Sequence, residues 1–212
     1  MDTPFDLSET DRLLSTTRAV RKRLDLDRPV EREVILDCIR LAQQAPTPSN
    51  TQGWRWLVID DPEKRVELAR IYREVGEKFL PAGRQMYADN AQTQRVYDSA
   101  EYLLEVLHRV PVHVIPCVEQ PFDGSSNAAA ASLYGAILPA VWSFQLALRS
   151  RGLGSAYTTL HLYRDAEVAK LCNIPEGTTQ VALLPVAYTV GTDFKPARRP
   201  SPESITSWNT LL

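Results

Sequence analysis

Three short stretches of this chain carry residues suited to holding an anionic molecule with a polar edge. The first is Thr16-Thr17-Arg18-Ala19-Val20-Arg21-Lys22-Arg23. A guanidinium is a planar fork of N–H donors that matches phosphate oxygens and carbonyl edges. Arg18 and Arg21 share a face if the segment is helical and diverge if it is extended. The same run also fits a solvated basic stretch or the charge at a helix C-terminus. The second stretch is Pro46-Thr47-Pro48-Ser49-Asn50-Thr51-Gln52-Gly53-Trp54. Its prolines restrict the backbone, and Asn50 and Gln52 pair donors with acceptors as a heterocycle edge requires. Taken alone it equally suits a connector from helix to strand. The third stretch, Gly152-Leu153-Gly154-Ser155-Ala156-Tyr157-Thr158-Thr159-Leu160, joins the distant pair Arg198 and Arg199. Glycines let a backbone approach a flat ring, and threonine hydroxyls or backbone N–H groups donate to a ring nitrogen. Thr158 and Thr159 fit an ordinary short strand as well.

No conventional catalytic constellation accompanies these stretches. The chain lacks GxSxG, HExxH, P-loop and GxGxxG motifs, and its GLGS has neither the third glycine nor the preceding strand of a dinucleotide fingerprint. His108, His113 and His161 are scattered and read as structural or surface residues. Cys38, Cys117 and Cys172 lie far apart in apolar settings, without a CxxC, and read as reduced core residues. No side chain is assigned as catalytic and no metal site is expected. Basic and amide-rich loops beside a good core, with no proton-transfer cluster, indicate a protein whose bound cofactor supplies the reactivity.

The elements that must hold these loops follow from periodicity. Residues 8–17 form a short helix that delivers the chain to the basic run. Val34, Ile35, Cys38, Leu41, Ala42 and Ala45 recur at helical spacing and Pro46 closes that helix. Trp54 to Ile59 is a strand, so the proline-rich loop hangs between two rigid elements. Residues 63–80 read as a helix of mixed charge. The polar stretch 81–100 shows no clear apolar stripe and is the candidate lid. A helix through Tyr102, Leu103, Val106 and Leu107 precedes a strand from Val112 to Val118. A long helix over about 130–150 stops at Gly152, and Leu153-Gly154-Ser155 reads as a turn. A short helix from Asp165 to Cys172 and an apolar strand run from Gln180 to Val190 lead to a Pro-rich, basic tail. Strands interleaved with longer helices make an α+β, or α/β layered, single domain over residues 1–212.

Composition narrows the partners. The 212 residues are 44% hydrophobic and carry a net charge of −2. That balance gives no positive field for a nucleic-acid backbone or an anionic membrane, and neither is expected as a partner. The apolar stretch from Ala128 to Leu148 is interrupted by Ser132, Gly135, Pro139, Ser143 and Gln145, so it reads as a buried central helix. The N-terminus has no positive-then-apolar pattern, and a cytoplasmic location is expected.

Taken together and in this order, the stretches resemble the nitroreductase family of FMN flavoproteins. TTRAVRKRLDLDRPV, APTPSNTQGWRWLVID, PAVWSFQLALRSRGLGSAYTTLHL, IPEGTTQVALLPVAYTVG and KPARRPSPESI fall in family order, and TTLHL with PAVWSF is similar to an actinobacterial branch. The resemblance implies a mostly antiparallel central sheet flanked by helices, with the C-terminal tail exchanged in a homodimer. It also implies FMN as cofactor and NAD(P)H as co-substrate. The nicotinamide reduces the flavin, leaves, and is followed on the same face by an electron-poor small-molecule acceptor such as a nitroaromatic or a quinone. It assigns Arg18, Ala19 and Arg21 to the phosphate and ring edge, with Lys22 nearby. Pro46, Thr47, Pro48, Asn50 and Gln52 reach the flavin of the other subunit; Thr158, Thr159 and Leu160 fall near its N5, and Arg198 at its phosphate. Departures fall at Thr17 and Ala19, where the family has arginine and serine, so that Arg198, Arg21 or Lys195 must compensate. Gly53 replaces a proline, and Trp142-Ser143 replaces an amide pair. The resemblance leaves two alternatives open: a specialised relative, dehalogenase-like or flavin-cannibalising, and a non-catalytic flavin-binding dimer.

Overall fold

The computed structural model describes residues 4–211, which divide into two compact units: a body, Arg18–Thr192, and a terminal unit formed by the residues before Arg18 and after Thr192.

The body is built on an antiparallel sheet. Strands β1 (Trp54–Ile59), β2 (Val112–Val118), β5 (Leu184–Tyr188) and β3 (Leu153–Ser155) lie in the order β1-β2-β5-β3, and β4 (Thr179–Gln180) also pairs with β2. Every pairing is antiparallel. All seven residues of β2 are buried, so both faces of the sheet are covered at its centre. Val112, Val114 and Val118 join a core with Ile35, Cys38 and Ala42 of helix α2 (Arg32–Ala42) and Ile137, Val141 and Phe144 of helix α5 (Asn127–Ser150). The alternate residues His113, Ile115 and Cys117 are buried outside that core, as the two-residue period of a strand requires. Cys38, Cys117 and Cys172 are free thiols; burial pushes the first two up to about 11 and about 12, which keeps them protonated and inert.

The apolar run from Gln180 to Val190 is two strands rather than one. Its register with β2 slips by one residue between the pairs Cys117↔Gln180 and Val114↔Leu184. Such a slip is a bulge, and it falls opposite Pro116, which has no N–H to give a ladder. Pro116 contributes only its carbonyl, which accepts from Val181 N–H at 3.0 Å. On the other edge of β5, Leu183 pairs with Thr158 in the register of the β3–β5 ladder.

Leu153-Gly154-Ser155 is likewise strand, not turn. Gly152 makes the turn alone, at φ +77 past the end of α5, where L side chains fit poorly. Along α5, Leu133, Ile137, Ala140, Val141, Phe144, Gln145 and Leu148 face the core. The helix is apolar and long enough to cross a membrane by composition, yet one face is packed on the sheet and the other exposes Leu138 and Trp142.

The candidate lid is helical. Helix α3 (Pro62–Met86) runs on through Pro81, and helix α4 (Ala91–Val106) starts after a short connector. Asn90 caps α4 by accepting from Thr93 N–H at 3.0 Å. The two helices cross closely at Gly76, over Leu104, and at Gly83, over Tyr97, where a Cβ would clash. No apolar stripe announces this in the sequence because the contact is made with bare backbone at glycines.

In the terminal unit, helix α1 (Leu7–Thr16) is capped by Asp6, which accepts from Glu9 N–H at 3.0 Å. Phe5, Leu7 and Leu14 are exposed. The tail after Thr192 holds one 3-10 turn, Pro202–Ile205, and leaves Ile205, Trp208 and Leu211 exposed.

Candidate functional site

The first and third stretches meet at the edge of the sheet. Val20 donates its N–H to the Ser155 carbonyl at 2.8 Å, Asp25 to Tyr188 at 2.8 Å, and Val190 to Arg23 at 2.9 Å. The segment is therefore extended up to Val20 beside β3, turns over residues 21–23, where Leu24 N–H donates to the Arg21 carbonyl at 3.2 Å, and meets the end of β5. This close approach is what Gly154 permits, since a Cβ there would lie 2.9 Å from Val20 Cβ. The glycine serves the protein's own packing.

On the extended stretch Arg18 and Ala19 stay exposed, whereas Arg21, at the bend, is half-buried. Its Nη1 donates to Ser99 Oγ of α4 at 3.2 Å. Burial pulls the Arg21 guanidinium below the ordinary arginine range, and the nearby Tyr72 phenol opposes that shift. Lys22 pairs with Asp98 of α4 at 3.4 Å, a half-exposed contact that contributes at most about 1 kcal/mol.

The Thr158-Thr159-Leu160 turn lies beside the same group. Thr158 exchanges both backbone hydrogen bonds with Leu183, at 3.1 and 2.8 Å. Its backbone N–H is thus committed to the protein, which removes it as a donor to a ring nitrogen. Its hydroxyl lies 2.9 Å from the Tyr72 hydroxyl of α3. The following N–H groups, of Thr159 and Leu160, precede the 3-10 turn Leu160–Arg164 and have no acceptor among the described residues. They are the donors this turn offers. Behind them Arg164 and Arg70 tie Glu74 and Glu167 into an ion-pair network joining α3 to helix α6 (Asp165–Cys172). His161 is fully buried with neither ring nitrogen partnered, and burial pulls it down to about 4, so it is neutral at physiological pH.

The proline loop is held elsewhere, against α5. Pro46, Pro48, Asn50 and Gln52 are exposed. Ser49 and Asn50 are both left-handed, at φ 52 and φ 55, a costly conformation for two successive residues that are not glycine. Asn50 Oδ1 accepts from Gln52 Nε2 at 3.2 Å. Thr47 Oγ1 is buried without a partner. Arg198 belongs to the terminal unit, in an exposed stretch without regular structure.

Three residues of this region escape sequence reasoning. Tyr72 lies in a helix of mixed charge without a motif to mark it, and Ser99 lies in the stretch with no legible stripe. Gln145 is the third: its Nε2 donates to the buried Ser155 Oγ at 2.9 Å and braces β3 from α5.

A five-stranded antiparallel sheet covered by helices on both faces, with a basic segment laid along its edge, defines an α+β protein of the nitroreductase fold. The nitroreductase family model matches residues 14–188, and the chain belongs to that family. Iodotyrosine deiodinase of Thermotoga neapolitana is 26% identical over 198 residues, covering 93% of this chain and 97% of that protein. Among solved structures, an oxidised iodotyrosine deiodinase bound to FMN and 3-iodo-L-tyrosine is 25% identical, with TM-score 0.69 over 95% of this chain and 99% of the other. A nitroreductase-like protein from Bacteroides thetaiotaomicron, 20% identical at TM-score 0.68 over 98% and 100% of the two chains, shares the fold.

Proposed function

We propose that this protein binds FMN at a site completed by a second copy of the chain and reduces electron-poor small molecules, such as nitroaromatics or quinones, with NAD(P)H. The observation that carries the reading is the Val20–Ser155 junction, which brings the basic segment with Arg21 against the strand that leads into Thr158 and the unpartnered N–H groups of Thr159 and Leu160. Bound FMN would supply two-electron chemistry between nicotinamide and acceptor. The protein's part is to hold and polarise it. Arg21 offers fixed positive charge to the electron-rich edge of the ring, and the Thr159 and Leu160 N–H groups donate to the ring's other side. Arg18 would neutralise the phosphate.

The residues of the proline loop fit the same group. An orphaned hydroxyl on Thr47 and a strained Ser49-Asn50 pair are features of a loop shaped for a ligand it does not meet within one chain. The exposed Leu138 and Trp142 of α5, Leu36 and Leu41 of α2, and Trp208 and Leu211 of the tail support a homodimer with an exchanged tail. Purified protein is expected to carry a yellow chromophore or to take up FMN on reconstitution. It should bleach anaerobically with NADH or NADPH and recolour with a nitroaromatic or quinone. Absence of both FMN uptake and bleaching removes this function.

The similarity to iodotyrosine deiodinase along nearly all of that protein's length favours a second reading, reductive removal of halide from a halogenated aromatic. Halide release from 3-iodotyrosine by the reduced protein, in the absence of nitroaromatic turnover, would select it.

A further inference from the structure

We propose that Tyr72 is a positioning residue of the cofactor site, fixing the Thr158 hydroxyl. The inference rests on the FMN reading above. Tyr72 is 2% exposed and sits in α3 beside Ile71, which is fully buried, so its ring has one place to go. Its hydroxyl reaches Thr158 Oγ1 at 2.9 Å. The Thr158 backbone is already locked to Leu183 through both its N–H and its carbonyl. With the hydroxyl also held, every polar atom of Thr158 is engaged, and the chain leaves it in one direction, with the Thr159 and Leu160 N–H groups unspent. Arg21 closes the group. Its guanidinium lies near enough to feel the phenol electrostatically and donates to Ser99 of α4, while the Tyr72 hydroxyl itself ties α3 to the turn after β3.

Burial also raises the Tyr72 phenol above its ordinary range, which keeps it a neutral hydroxyl able to donate to Thr158. Being buried, Tyr72 does not touch the cofactor. It acts through Thr158, and removing its hydroxyl alone should be felt at the flavin without loss of the core.

The test compares Tyr72→Phe, Thr158→Val, the double variant and Ile71→Val with the unaltered chain. Each is titrated with FMN by flavin fluorescence, and its visible spectrum, reduction potential and melting temperature are recorded. Tyr72→Phe should weaken FMN binding roughly tenfold, the equivalent of one hydrogen bond, and shift the flavin spectrum or potential. Thr158→Val should do the same, and the double variant no more than either alone. Ile71→Val should lower the melting temperature and leave the flavin unchanged, which separates positioning from packing. If the unaltered chain binds FMN and Tyr72→Phe binds it with the same affinity, spectrum and potential, or if the two losses add, the role of Tyr72 is overturned and the FMN reading stands. If the unaltered chain takes up no FMN, the reading falls and takes this role with it.

Discussion

Val20 closes over the bare α-carbon of Gly154: a Cβ there would lie 2.9 Å from Val20 Cβ and 2.8 Å from Thr189 Cγ2. Neither neighbour is the loose end of a long side chain. The contact holds the basic segment against β3, and with it the relation between Arg21 and the Thr158 turn.

Gly154→Ala should therefore destabilise the fold by about 1–3 kcal/mol, the usual cost of overpacking a close contact. Urea denaturation measures the loss. FMN affinity should fall in the same variant because Arg21 moves with Val20. Gly152→Ala makes a useful comparison, since space is open there but φ is +77, so its cost is backbone strain of about 1 kcal/mol and its effect on FMN is small.

The α3–α4 crossing predicts an asymmetry between two glycines. Alanine gains about 1 kcal/mol over glycine in a helix interior. At Gly83 the clash is with the end of the Tyr97 side chain, which is partly exposed and can swing, so Gly83→Ala should be near neutral or stabilising. At Gly76 it is with Leu104, buried at 6%, so Gly76→Ala should cost about 1–3 kcal/mol. Equal melting temperatures for the two variants would contradict the crossing described.

His113 and His161 make stability depend on pH. Both are pulled by burial from 6.5 to about 4, whereas in the unfolded chain they protonate near the ordinary value. Between these limits the unfolded state binds more protons, so stability declines as pH falls from about 6.5 to about 4, by roughly 3 kcal/mol for each histidine at the lower limit. His113 keeps a bond from Nε2 to the Leu107 carbonyl at 2.9 Å, while His161 keeps none. His161→Leu should accordingly raise the urea midpoint at pH 5 and flatten the acid limb. A variant with the same acid limb as the unaltered chain would show that His161 does not cause it.

Trp142 is 44% exposed on the outer face of α5, beside Leu138 at 37%. If that face meets a second copy, Trp142→Glu places a charge in the interface and should convert a dimer to a monomer in sedimentation velocity, with FMN affinity falling alongside. A dimer that survives this change would move the interface away from α5.

The layered α+β class, the long apolar helix and two of the strands were legible in the sequence, because a two-residue or 3.6-residue period survives without knowledge of partners. The extent of α3 through Pro81 was not, since a proline and a polar stretch read as a break and only the crossing at Gly76 and Gly83 accounts for the helix. The bulge opposite Pro116 was hidden for a similar reason: Gln180 to Val190 is uniformly apolar, and the residue that splits it lies on another strand.

For the candidate site, the order of basic segment, proline loop and glycine turn was readable from residue types alone, and it carried the family and the expected cofactor chemistry. Which atoms remain available was decided only in three dimensions. Arg18 and Arg21 look alike in sequence, yet the extended stretch beside β3 leaves the first exposed, and the bend that follows half-buries the second against Ser99. Thr158 and Thr159 look alike too, yet the β3–β5 register sets Leu183 opposite the first, consuming its backbone groups, and leaves the second's N–H open. The sequence by itself determined the inventory of donors and charges, because those are properties of residue types. The tertiary structure decided which of them the protein uses on itself and which are left for a ligand, because a hydrogen bond is satisfied by whatever lies within about 3 Å, and that neighbour is set by packing.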